Sequence, residues 1–165
     1  MTTLHATASV ALAKSEPPIL VTVETALGST PREAGARMLV TAGTVSGTIG
    51  GGRLEFDAID KARRMIAAGE AAGTSEVPLG PEIGQCCGGR VGLSFRRVDA
   101  VLLEALAQEA ERARDALPAV MIFGAGHTGR ALAAALAPLP LAVSLIDSRP
   151  ETLAGIPEAV RCVAA

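Results

Sequence analysis

Apolar and polar positions along this chain follow two periods, and the switches between them mark its elements. Leu4 to Lys14 is rich in alanine and predicts a first helix, closed by Pro17-Pro18. Ile19-Leu20-Val21-Thr22-Val23-Glu24-Thr25 is rich in β-branched residues and predicts a strand. Gly28-Ser29-Thr30-Pro31-Arg32 predicts a turn, punctuated by glycine and proline. Arg37 to Thr41 and Thr44 to Ile49 predict two further strands joined at Ala42-Gly43. After Gly50-Gly51-Gly52 the period becomes helical: Leu54, Ala58, Ala62, Met65 and Ile66 fall on one face between Arg53 and Ala68. Asp57 with Lys61, and Asp60 with Arg64, stand four apart in the favourable acid-first order. Gly69 is a natural stop.

Glu76 to Leu79 reads as extended, and Val91 to Phe95 as a strand. Asp99 is placed to cap a second long helix with Leu102, Leu103, Leu106, Ala110 and Ala113 on its buried face. A new pattern follows Leu117-Pro118. Ala119 to Phe123 is a wholly apolar strand, Arg130 to Ala137 is helical, and Leu141 to Ile146 is a strand ending in Asp147. The expected fold is α/β: a small mixed α/β domain over residues 1–116, then a partial Rossmann-like parallel βαβ unit over 117–165. Too little chain follows Pro118 for both halves of the full dinucleotide fold, so the chain reads as truncated or as completed by something outside it. The open sheet edge of a half-fold predicts pairing with another chain, and a homo-oligomer is expected.

Composition narrows the function. The chain is 49% hydrophobic and 19% charged over 165 residues, as a globular protein is. It has no Trp, no Tyr and three Phe, so the core is aliphatic and platforms for stacking bases are lacking. A net charge of -2 offers nothing to a phosphate backbone, and nucleic acid is not an expected partner. No apolar run is long enough to span a bilayer and no secretory signal opens the chain. A cytoplasmic location is expected, where thiols stay reduced.

Three glycine-rich segments carry the candidate chemistry. Gly124-x-Gly126-His127-x-Gly129 follows a strand, opens a helix, and precedes a second strand ending in Asp147. That is the context of a dinucleotide-binding turn: glycines admit a pyrophosphate to the helix amides, and the acid can bond a ribose hydroxyl. His127 reads as a helix-turn residue beside a phosphate. NAD(P) is therefore a possible cofactor, although residues for hydride chemistry are lacking. Gly50-Gly51-Gly52-Arg53 leads from a strand into a helix and reads either as an anion-ready N-terminus or as a tight connection. Gly84-Gln85-Cys86-Cys87-Gly88-Gly89 places two thiols side by side among glycines. No Cys-x-x-Cys or paired histidines accompany them, so a zinc site lacks ligands. A soft metal, a sulfur-bearing ligand or persulfide chemistry suits them. The remaining thiol, Cys162, reads as a buried apolar strand position.

Taken together in order, Gly28-Ser-Thr-Pro-Arg32, Gly47-Thr-Ile-Gly-Gly-Gly-Arg-Leu-Glu55, Gly84-Gln-Cys-Cys-Gly-Gly89 and Gly124-Ala-Gly-His-Thr-Gly129 resemble the XdhC/CoxI family, in its xanthine dehydrogenase branch. The resemblance implies an accessory protein rather than an enzyme. Such a protein binds the molybdenum cofactor (molybdopterin), protects its sulfurated form and delivers it to apo-xanthine dehydrogenase. It implies two partners: the molybdenum-binding subunit of the dehydrogenase, and a cysteine desulfurase that supplies the sulfur. The cofactor-binding residues would be Gly50, Gly51, Gly52, Arg53, Gln85, Cys86, Cys87, Gly88, Gly89, Gly124, Gly126, His127, Gly129 and Asp147, with Cys86 and Cys87 facing the molybdenum. Arg32 is a further candidate for the pterin phosphate. Family members extend past residue 165, and some carry Cys where Arg53 stands. The competing expectations are an NAD(P)-dependent oxidoreductase and a cysteine-based sulfur-transfer protein.

Overall fold

The computed structural model describes residues 4–80 and 88–165. The chain divides into two units, Thr2–Ala107 and Gln108–Ala165. The division falls within a helix, ahead of Leu117-Pro118.

In the first unit, α1 (Leu4–Ala13) precedes β1 (Ile19–Leu27), β2 (Arg37–Val40), β3 (Val45–Gly47), α2 (Gly52–Ala68), β4 (Ala72–Pro78), β5 (Arg90–Arg97) and the start of α3 (Ala100–Asp115). The strands form one antiparallel sheet in the order β3-β2-β1-β5-β4. Alternation along β1 sends Ile19, Val21 and Val23 to one face, where they meet Met38, Leu93, Phe95 and the α2 residues Leu54, Ala58, Ala62 and Met65. Leu20 and Leu39 point the other way and pack with Ala8 of α1 and Leu106 of α3. The unit is thus three layers, helix–sheet–helix, as an amphipathic sheet with two apolar faces requires. Since β3 and β4 are the two sheet edges, α2 links one edge to the other.

The helix boundaries follow local chemistry. Gly69 ends α2 in the left-handed conformation, φ 74°, with its N–H on the Ile66 carbonyl. Asp99 Oδ1 accepts the Leu102 N–H at 2.8 Å, the expected cap of α3. Leu102 and Leu103 pack as expected, while Ala113 is exposed. On α2, Asp60 pairs with Arg64 as expected. Asp57 does not pair with Lys61: it takes Arg53 instead, at 2.9 Å. Lys61 lies over the sheet, donating to the Thr74 carbonyl at 2.6 Å with its ammonium 4.7 Å from the centre of the Phe95 ring. A backbone carbonyl together with an aromatic face competes well for an ammonium against an exposed carboxylate, whose ion pair contributes little.

In the second unit, β6 (Ala119–Phe123), α4 (His127–Leu136), β7 (Ala142–Asp147), a 3-10 turn at Pro150–Leu153 and β8 (Arg161–Ala164) build a parallel sheet in the order β6-β7-β8. This is the expected partial Rossmann-like unit. Its core is Ile122, Ala125, Ala133, Val143, Leu145 and Val160. The alternate positions of β6, Met121 and Phe123, are exposed. Cys162 is exposed as well, a correction to the buried position expected. It sits in the last, short strand, whose positions are mostly exposed.

Candidate functional site

Three of the four motifs meet at one end of the first unit's sheet. The turn after β1 lies against the strand entering β5: a Cβ on Gly28 would stand 3.3 Å from the Gly89 Cα, and one on Gly89 would stand 2.3 Å from the Ser29 carbonyl oxygen. The same turn lies against the start of α2, since a Cβ on Gly50 would stand 2.6 Å from Pro31 Cγ. Glycine at 50 and 89 therefore serves close packing between loops, a reason independent of any ligand. An open cavity of about 390 Å³ is lined by Leu27, Pro78, Gly80, Gly88, Gly89 and Arg90. β4 ends at Pro78 and β5 begins at Arg90. Between them the Gly88 N–H donates to the Leu79 carbonyl and the Leu79 N–H to the Gly89 carbonyl, each at 2.7 Å. Gln85, Cys86 and Cys87 lie outside the described residues; Gly80 and Gly88, on either side of their segment, both line the cavity. Among the described residues no cluster of metal-ligating side chains occurs.

The Gly50-Gly51-Gly52 turn needs all three glycines for its backbone, with φ of 129°, 75° and 63°. The Gly50 and Gly51 donors are already engaged. Glu55 Oε2 accepts from Thr48 Oγ1 at 2.5 Å, the Ile49 N–H at 3.0 Å and the Gly51 N–H at 3.1 Å. The Gly50 N–H in turn donates to Thr48 Oγ1 at 3.1 Å. Burial raises the Glu55 pKa, but the bonds from Thr48, Ile49, Gly51 and Gly50 together outweigh it and hold the carboxyl below its ordinary value. Arg53 is exposed and turned to Asp57, one turn along α2. Glu55 is the residue that motif reading passed over. The signal was there: an acid in the first turn of a helix that opens on glycines.

In the second unit, Gly124 has φ 97°, and a Cβ on Gly124 or Gly126 would meet nothing within 4 Å. That face of the turn is open to a ligand. Gly129 differs: a Cβ there would stand 1.9 Å from the Gly124 carbonyl oxygen, so it lets α4 pack on the turn. His127 is exposed at the first position of α4. Asp147 ends β7 as expected, but its carboxylate is taken. Oδ2 accepts the Ala125 N–H at 2.7 Å and Arg149 Nη2 at 3.1 Å, and Oδ1 accepts Arg149 N at 2.9 Å and Nε at 3.0 Å. The Arg149 side chain and the Ala125 amide hold this carboxyl far below the usual range. Arg130 of α4 ties the unit together by donating to the carbonyls of Thr152 and Ala154.

No helix among the described residues is long and apolar enough to cross a membrane. No curated protein matches the chain. A crystal structure described as a xanthine dehydrogenase from Bacillus halodurans superposes with a TM-score of 0.70 at 17% identity, covering 98% of this chain and 67% of that one. At that identity the likeness is one of fold. The XdhC and CoxI family model matches residues 11–77, the segment that holds Gly28–Arg32 and Gly47–Glu55, and the family resemblance read from those motifs is borne out there.

Proposed function

We propose that this chain is an accessory protein in the maturation of a xanthine dehydrogenase-type molybdenum enzyme. In this reading it binds the molybdenum cofactor as cargo, shields its exchangeable sulfur and passes it to the apo-enzyme's molybdenum-binding subunit. A cysteine desulfurase would supply the sulfur beforehand. The observation that carries the reading is the packing of the 28–32 turn against both the 48–52 loop and the 88–89 loop, with Gly88 and Gly89 lining an open cavity. The cationic Arg90 lines that cavity, and at Gly80 and Gly88 its wall carries no side chain. An open, cationic cavity of this kind suits a phosphate-bearing heterocycle. The role of Cys86 or Cys87 is to present a soft thiol to the molybdenum or its sulfur. The chain binds and releases; none of its residues is asked to turn over covalently.

The NAD(P)-dependent alternative needs Asp147 to receive a ribose hydroxyl. Both oxygens of that carboxylate are engaged by Ala125 and Arg149, so the maturation reading is preferred. The test is purification from a host that makes the molybdenum cofactor, followed by assay of bound pterin and molybdenum. The wild type is expected to carry both. The Cys86→Ala, Cys87→Ala double variant is expected to keep its melting temperature and lose the cofactor. A wild type free of pterin would overturn the proposal. A persulfide on either cysteine without pterin would favour sulfur transfer instead.

A further inference from the structure

The start of α2 has the backbone of an anion site, and the chain fills it with its own carboxylate. Three consecutive glycines at positive φ, together with Thr48, gather donors around one point. Glu55 Oε2 sits at that point, 2.5 to 3.1 Å from Thr48 Oγ1, Ile49 N and Gly51 N. A phosphate oxygen arriving there would meet a fixed negative charge at contact distance, with its hydrogen-bond donors already used. Replacing such an internal anion would leave a carboxylate without partners beside an incoming one.

We infer that Glu55 is a built-in counter-anion that shapes the 48–52 turn and closes the donors of Thr48, Ile49 and Gly51, just ahead of α2, to external phosphate. The residue is a positioning and specificity-determining group. It keeps the loop against Pro31 in its observed form before any ligand arrives. It also directs the phosphate of a cargo away from Gly50 and Gly51 towards the cationic Arg90. The second of these consequences rests on the proposed function; the closure itself does not, and holds for any phosphate-bearing ligand.

The test uses the full chain and inorganic phosphate as the probe, with chloride at matched ionic strength as the control. Thermal unfolding is followed for the wild type, Glu55→Ala and Glu55→Gln. Glu55→Ala is expected to melt lower than the wild type. Added phosphate, and separately formate, is expected to raise its melting temperature in proportion to the logarithm of concentration, because either anion refills the emptied site. The wild type is expected to respond to phosphate less than Glu55→Ala does. An equal response in the two proteins would overturn the closure.

Should Glu55→Ala fail to fold, Glu55→Gln serves, since the amide oxygen still accepts hydrogen bonds. The gap in melting temperature between wild type and Glu55→Gln is expected to be full at pH 7 and to shrink only as pH falls below the ordinary glutamate range, because the folded carboxyl is held below it. A gap of the same size at every pH would show that charge has no part, and the inference would fall. Neither measurement involves pterin or molybdenum, so its failure is separable from failure of the proposed function.

Discussion

Single residues divide the glycines of this protein into two kinds. Gly126 faces open space at an extended φ of -70°, so a side chain there leaves the fold intact and blocks only what approaches the turn. Gly126→Val is therefore expected to keep the melting temperature of the wild type. Weaker retention of the pterin by that folded variant would place the turn in cofactor binding. Gly129→Ala is expected to behave in the opposite way. Its Cβ would lie 1.9 Å from a backbone oxygen, and a loss of at least about 1–3 kcal/mol in denaturant unfolding is expected. The motif marked both glycines as ligand-approach positions; the distinction depends on which atoms surround each one. Asp147 makes the same point. Its place at the end of β7 was legible from the strand-like run before it, but its engagement by Ala125 and Arg149 was not. Because its folded pKa is depressed, the stability it contributes is complete above the unfolded value near 3.9 and is lost as pH falls towards the folded value. Asp147→Asn is expected to flatten the acid limb of the stability profile measured by urea unfolding between pH 2.5 and 6.

At the scale of elements, the α2 face was legible because burial of every third or fourth residue is a local repeat. Leu54, Ala58, Ala62 and Met65 are buried as the spacing predicts. The partner of Lys61 was not legible, because β4 and β5 reach it only through the fold. Phe95 is the largest wholly buried side chain on that face, and Phe95→Ala is expected to cost about 3–5 kcal/mol in equilibrium unfolding. Asp99 makes a single cap bond at the exposed start of α3, and Asp99→Ala is expected to cost about 1 kcal/mol by the same measurement.

At the scale of the molecule, the two units build their cores differently. The first buries both faces of its sheet. The second buries the α4 side, while Met121 and Phe123 on the alternate positions of β6 are 65% and 76% exposed. A wholly apolar strand suits a parallel sheet covered on both faces. Hydropathy alone could not tell which of its residues are covered, since every position reads alike. The consequence is measurable: Phe123→Ser is expected to change stability by no more than about 0.5 kcal/mol, far less than truncation of Phe95. The amino-acid order by itself determined the four helices, most of the strands, the stop at Gly69, the cap at Asp99 and the four glycine motifs, because each follows from propensity and period within a few residues; the first half of β4 and the bounds of β8 carried no such local signal. The tertiary structure alone decided that the 28–32 turn packs against both the 48–52 and the 88–89 loops, that Gly89 and Gly129 serve packing, and that Glu55 and Asp147 occupy their own glycine turns. Those outcomes depend on distances between residues that chain spacing does not set, and on hydrogen bonds that can be counted only when every competing partner is in place.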